Sequence, residues 1–132
     1  MIEIPRHIYE DMIAHAVEGF PLEVCGILSG TPDKVAKTWR MTNTDASNEH
    51  FMMDPKEQFA VVKELRSENR QMVAIYHSHP ETPARPSEED IRLALTPNVS
   101  YIIISLADTG KPDMKSFKIH NGNVMPEEII VA

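Results

Sequence analysis

The sequence predicts a mixed α/β (α+β) fold, a curved and largely antiparallel sheet flanked by helices. Three observations carry this expectation. Met72-Val73-Ala74-Ile75-Tyr76 and Tyr101-Ile102-Ile103-Ile104-Ser105-Leu106 are apolar runs of strand length. Other segments place apolar residues at helical spacing, Ile8, Met12 and Ala16 among them. Asn121-Gly122 is a type I′ hairpin signal next to an alternating segment.

The elements follow in chain order. Ile2 to Ile4 reads as a short strand. From Pro5 to about Phe20 the spacing of Ile8, Met12 and Ala16, with Ile13 and Val17 beside them, predicts a helix. Residues 22–29 read as the first central strand, and Lys34 to about Thr42 as a second, paired through a turn at Gly30 to Asp33. Thr42 to Asn48 is polar and irregular, and Phe51-Met52-Met53 reads as a short strand. Asp54-Pro55-Lys56-Glu57 combines an N-cap, a proline at the first helical position and a glutamate three residues after the cap. The helix it starts runs to about Glu68 and is expected to bury Phe59, Val62 and Leu65.

The strand of residues 72–76 carries His77 and His79 at its C-terminal end. Pro80 lacks an N–H, so it stops the ladder, and it favours an extended His79. Glu81 to Pro86 is a loop containing Pro83 and Pro86. Ser87-Glu88-Glu89-Asp90 opens a further helix, with Ile91, Ala94 and Leu95 on its apolar side. Residues 101–106 form a central strand and 108–113 a turn region. Met114 to His120 alternates like a strand, and the hairpin at Asn121-Gly122 leads to a last strand.

Composition agrees with one compact domain over residues 1–132, without repeats or a low-complexity linker. The 42% apolar and 25% charged content is ordinary for a soluble globular protein. Twenty acidic against 13 basic residues give a formal charge of −7, which argues against nucleic acid or an anionic membrane as the main partner. The one cysteine, Cys25, excludes an internal disulfide and reads as a small buried thiol. The N-terminal residues Met1 to Pro5 lack a basic flank and a long apolar core, and no run approaches the ~20 apolar residues that span a bilayer. A reducing cytoplasm is the expected compartment, so Asn98-Val99-Ser100 reads as an accidental glycosylation sequon.

The chemistry sits in His77-Ser78-His79-Pro80, followed after a loop by Ser87 and, three residues later, Asp90. Histidines at i and i+2 on an extended chain point to one side, so two imidazoles reach one metal. Asp90, in the first turn of the next helix, would bring a carboxylate back over the strand end. Three N/O ligands with a fourth position left to water is the pattern of a catalytic zinc; structural zinc usually closes with four protein ligands. Ser87-x-x-Asp90 also reads as a helix N-terminus, with Ser87 the N-cap and Asp90 its capping-box partner. The two readings are compatible.

The segment H-S-H-P-x6-S-x-x-D resembles the signature of the JAMM metalloproteases, the active branch of the Mov34/MPN/PAD family. Upstream, Pro21-Leu22-Glu23-Val24-Cys25-Gly26-Ile27-Leu28-Ser29-Gly30 is similar to the family segment P-x-E-x-C-G-x-L-x-G. Glu23 matches the family's catalytic glutamate; taken alone it reads as a surface or salt-bridged residue. The resemblance covers nearly the whole chain and implies an MPN/JAMM-like domain. It implies that His77, His79 and Asp90 hold Zn2+ and that Glu23 acts as general base and then acid. It also implies that the Ser87 hydroxyl stabilises the oxyanion.

The implied substrate is the peptide or isopeptide bond after the C-terminal Gly-Gly of a ubiquitin-like protein. The chain is short, so it looks like the compact prokaryotic members that process ubiquitin-fold sulfur carriers. An extended tail would add to a strand edge and thread its glycines past the metal. A non-catalytic MPN scaffold is the alternative, and a zinc hydrolase of a small amide a third possibility. A deaminase is disfavoured because no P-C-x-x-C motif exists, and no H-E-x-x-H motif is present. His7, His15, His50 and His120 read as surface or capping residues, with His50 the outside candidate for the cleft. Trp39 reads as a packing residue or a surface aromatic, and the eight methionines, mostly scattered at apolar positions, as core filler.

Overall fold

The structure, a computed structural model, describes residues 1–108 and 110–132. Its elements are β1 (Ile2–Ile4), α1 (Arg6–Gly19), β2 (Cys25–Thr31), β3 (Lys34–Met41), α2 (Pro55–Ser67), β4 (Gln71–His79), α3 (Glu88–Arg92), β5 (Ser100–Ser105), β6 (Asp113–His120), β7 (Asn123–Glu127) and β8 (Ile129–Val131). All eight strands join one sheet in the order β7-β6-β5-β4-β2-β3-β1-β8. The pairs β4–β5, β1–β3 and β1–β8 are parallel and the others antiparallel, so the sheet is mixed.

The expected last strand is in fact two. β7 and β8 lie at opposite edges of the sheet, and only Glu128 separates them. A single residue spans at most about 3.5 Å, so the sheet has to curl until its two edges come together there. The Ile2 amide donates to the Glu128 carbonyl at 2.9 Å, which ties β1 into the seam.

Strand alternation gives the sheet two apolar faces. On one, Ile8, Met12 and Ala16 of α1 pack with Leu28, Tyr76, Ile102 and Ile104. On the other, Val61 and Leu65 of α2 pack with Cys25, Ile27 and Ile75. Cys25 is fully buried. Gly26 has to lack a side chain because a Cβ there would overlap the ring of Tyr76, its cross-strand partner. Asn121 and Gly122 have φ of 50° and 80°, as a type I′ turn requires.

Several local expectations need correction. The first central strand starts at Cys25, so Glu23 precedes it. Residues 51–53 form no strand; Met53 makes an isolated bridge with Asn43. Phe59 is 73% exposed and Val62 only partly buried, while Val61 and Leu65 form the buried face of α2. Those two stripes lie almost side by side on the helix, and the sheet selects between them. α3 stops at Arg92 and buries none of its residues, and Leu95 is 80% exposed. Pro97 disfavours helical backbone at Thr96, which limits any extension. His15 is half-buried: its Nδ1 lies 2.6 Å from the Tyr76 hydroxyl. Of the turn region 108–113, Thr109 lies outside the described residues. Among the described residues no helix is long and apolar enough to cross a membrane.

Candidate metal centre

β4 delivers two histidines to one side of its C-terminal end. His77 and His79 belong to the same face of the strand as Ile75, and both are buried. His77 Nε2 and His79 Nε2 are 3.1 Å apart. α3 then brings Asp90 over the strand end, with Oδ1 at 3.3 Å from His77 Nε2 and Oδ2 at 3.1 Å from His79 Nε2. The sequence joins these three residues through a short proline-bearing loop, and the structure brings all three together.

The helix start that presents Asp90 is a complete capping box. The Asp90 amide donates to Ser87 Oγ at 3.0 Å, and the Ser87 amide donates to Asp90 Oδ2 at 2.9 Å. The capping reading of Ser87-x-x-Asp90 is therefore realised in a geometry that leaves its site reading open. Ser87 Oγ accepts through a lone pair and keeps its own proton free to donate.

Proton placement decides what this cluster holds. The Pro83 carbonyl can only accept, and it lies 2.9 Å from His79 Nδ1, so Nδ1 carries the proton of a neutral ring. On the neutral ring His79 Nε2 then presents a lone pair towards another imidazole nitrogen and a carboxylate; with the ring protonated, Nε2 donates to Asp90 instead. Burial works against the Asp90 charge. Hydrogen bonding with His77 and His79, together with the Ser87 amide, outweighs it and holds the carboxyl well below the usual range. Acceptors converging at 3.1–3.3 Å call for a cation among them, and two imidazoles with a carboxylate suit a divalent metal ion.

Glu23 stands just ahead of β2 and is 6% exposed. Burial pushes its carboxyl up to about 7. The charge of Asp90 adds to this, and His79 and His50 oppose it. The carboxyl is thus within electrostatic reach of the His79–Asp90 pair, although Glu23 is no member of the ligand cluster. A cavity of about 250 Å³ opens beside His77 and Asp90, walled by Phe51, Ile75, Leu93 and Tyr101. His50, the outside candidate, is not part of the cavity wall; its Nδ1 lies 2.8 Å from Oε1 of Glu89, which is.

The chain matches the family of prokaryotic homologs of the JAB domain over residues 5–120. It belongs to that family.

Within the prokaryotic JAB family the chain aligns with most of the length of the following relatives. The CysO-cysteine peptidase of Mycobacterium tuberculosis is 34% identical, over 99% of this chain and 91% of the relative. The desampylase of Pyrococcus furiosus is 32% identical, over 97% of this chain and 88% of the relative. The solution structure of protein DSY2949 from Desulfitobacterium hafniense is 47% identical and superposes with a TM-score of 0.91, covering 100% of this chain and 93% of that one. The resemblance read from the motifs is therefore correct, and so is the expected MPN/JAMM-like fold.

The structure also shows site neighbours that the sequence hid. The Phe51 ring stacks on His77 at 4.6 Å between centroids. The Asn43 side chain donates to the backbone carbonyls of Glu23 and His50, at 3.0 and 2.9 Å. It also accepts from the amides of Asp45 and Met52, both at 3.1 Å. Asn43 thereby fastens the 42–53 loop to the backbone of Glu23. An asparagine in a polar loop is common, so no local pattern marks it. Phe51 is marked only as an aromatic ahead of a helix cap.

Proposed function

We propose that this chain, acting as a single domain over residues 1–132, is a zinc-dependent peptidase or isopeptidase. Its substrate is the bond after the C-terminal Gly-Gly of a ubiquitin-like, sulfur-carrier-type protein. The observation that carries this is the convergence of two imidazoles and one carboxylate at 3.1–3.3 Å, with a buried glutamate of raised pKa nearby. The names of the relatives, a peptidase of a CysO–cysteine conjugate and a desampylase, support the substrate class. The lone, buried Cys25 asks for no oxidising compartment, in keeping with work in the cytoplasm.

His77, His79 and Asp90 would hold the zinc. When bound, the metal supplies Lewis acidity towards a carbonyl oxygen and an acidified water. Glu23 takes a proton from the attacking water and returns it to the leaving amine; a carboxyl near neutrality suits both transfers. The Ser87 hydroxyl, held by its cap, donates to the developing oxyanion. The Pro83 carbonyl fixes the tautomer of His79. The apolar walls beside the cluster lower the local polarity and so strengthen these interactions.

The test is metal content of protein purified without chelator, beside Asp90→Ala. The expected result is about one zinc per chain, lost in the variant, together with cleavage of a sulfur carrier extended past its Gly-Gly. Failure to take up zinc even after addition would overturn the hydrolase reading. Equal cleavage when Gly-Gly is changed to Ala-Ala would overturn the substrate.

A further inference from the structure

Ser78, between the two histidines, has no part in the chemistry above. It lies on the face of β4 opposite to theirs and is fully buried, so it neither holds a metal nor touches a substrate. Its hydrogen bonds are nevertheless specific. The Ser78 amide donates to the Val24 carbonyl at 3.0 Å, and the Val24 amide donates to Ser78 Oγ at 2.8 Å.

In register, Cys25 faces His77 and Gly26 faces Tyr76, so Val24 is the next residue opposite Ser78. A regular antiparallel pair in this position exchanges two backbone hydrogen bonds. Here a side-chain hydroxyl replaces the carbonyl as acceptor of the second. The chain stays tied to β4 at Val24 and yet peels off the ladder there, which is why β2 starts only at Cys25. Glu23, one residue earlier, is therefore free of the sheet. Its amide donates to the Ser47 carbonyl at 2.8 Å and its carbonyl accepts from Asn43 at 3.0 Å.

We propose that Ser78 is the positioning residue for Glu23. Its hydroxyl turns the end of the ladder into the departure point that sets Glu23 over the metal strand. This rests on the reading of Glu23 as the proton carrier. A carbonyl acceptor would continue β2 through residues 23 and 24, and strand alternation would then set the direction of Glu23. The hydroxyl breaks that alternation while keeping the anchor.

The experiment compares Ser78→Ala, Ser78→Thr and Ser78→Cys with Glu23→Gln. Zinc content, melting temperature, kcat and KM are measured on a sulfur carrier extended past its Gly-Gly by a short peptide. Ser78→Ala is expected to keep its zinc and its KM while kcat falls about 100-fold, the effect of displacing a reacting group by about 1 Å. Ser78→Thr keeps the hydroxyl and is expected to recover most of the rate. Ser78→Cys fills the same space with a weak acceptor and is expected to behave like the alanine variant, which covers the case in which alanine unfolds the protein. An unchanged kcat in the alanine and cysteine variants overturns the proposal. So does loss of zinc in step with activity, because the serine would then serve the ligand strand. Undiminished turnover in Glu23→Gln would instead remove the role of Glu23 on which the proposal stands.

Discussion

Glu23 keeps only 6% of its surface exposed, and its side chain makes no hydrogen bond among the described residues. A carboxylate in that position is costly, and burial accordingly raises its pKa to about 7. Because the folded value lies above the unfolded one, stability falls as pH rises from the ordinary carboxyl range to about 7, and the full penalty applies above it. Glu23→Gln removes the penalty. In metal-stripped protein it should raise stability at pH above 7 by up to about 3 kcal/mol, at ~1.4 kcal/mol per pKa unit. In the ordinary carboxyl range the gain should vanish. Urea denaturation at both ends of this range checks it; an equal gain at both would mean that the charge of Glu23 is not what burial opposes. The same variant should keep its zinc and lose turnover, the usual relation between an active group and stability.

At the scale of elements, what was legible depended on how local the determining interaction is. The proposed metal ligands are separated by i+2 on a strand and by one short loop, and that spacing is written directly in the chain. The cap of α2 is equally local: Asp54 accepts from the Lys56 amide at 2.9 Å, although Glu57 accepts from the amide and hydroxyl of Thr42 and closes no capping box. Glu23 reaches the histidine strand through the β2–β4 pairing, so the role proposed for it was legible only through likeness to a family. The loop contacts of Asn43 and Phe51 had no local signal at all. The buried face of α2 failed for a related reason. Its sequence offers a stripe through Phe59, Val62 and Leu65 beside one through Val61 and Leu65, and the choice lies with Ile27 and Ile75 on the sheet. The two faces make opposite predictions. Phe59→Ser should change stability by less than about 0.5 kcal/mol, as for an exposed site. Val61→Ala, at 7% exposure, should cost roughly 1–3 kcal/mol. Denaturant midpoints distinguish them, and a large loss at Phe59 would restore the rejected face.

Over the whole molecule, closure of the sheet concentrates its consequences at Glu127, the last residue of β7 before the seam. This carboxylate is 5% exposed and is held from several directions. The hydroxyls of Ser100 on β5 and Ser116 on β6 donate to its Oε1. The α-ammonium of Met1 and the Lys118 ammonium lie 3.3 and 3.9 Å from Oε2. One side chain thus joins β5, β6 and β7 to the start of the chain, where the two sheet edges meet. Burial alone would raise its pKa. The hydrogen bonds from Ser100 and Ser116, with the Lys118 charge and the N-terminus, outweigh burial and lower it. A carboxyl lowered on folding contributes stability above its unfolded pKa and loses it as pH falls through the folded value. Glu127→Gln should therefore destabilise the protein at neutral pH by roughly 1–3 kcal/mol, the cost of breaking a buried network of this kind. The difference from wild type should shrink as the solution is acidified below the ordinary carboxyl range, where both side chains are neutral. Urea titrations of the two proteins across that range measure it directly. A difference that stayed constant with pH would show that Glu127 holds the seam by shape and not by charge.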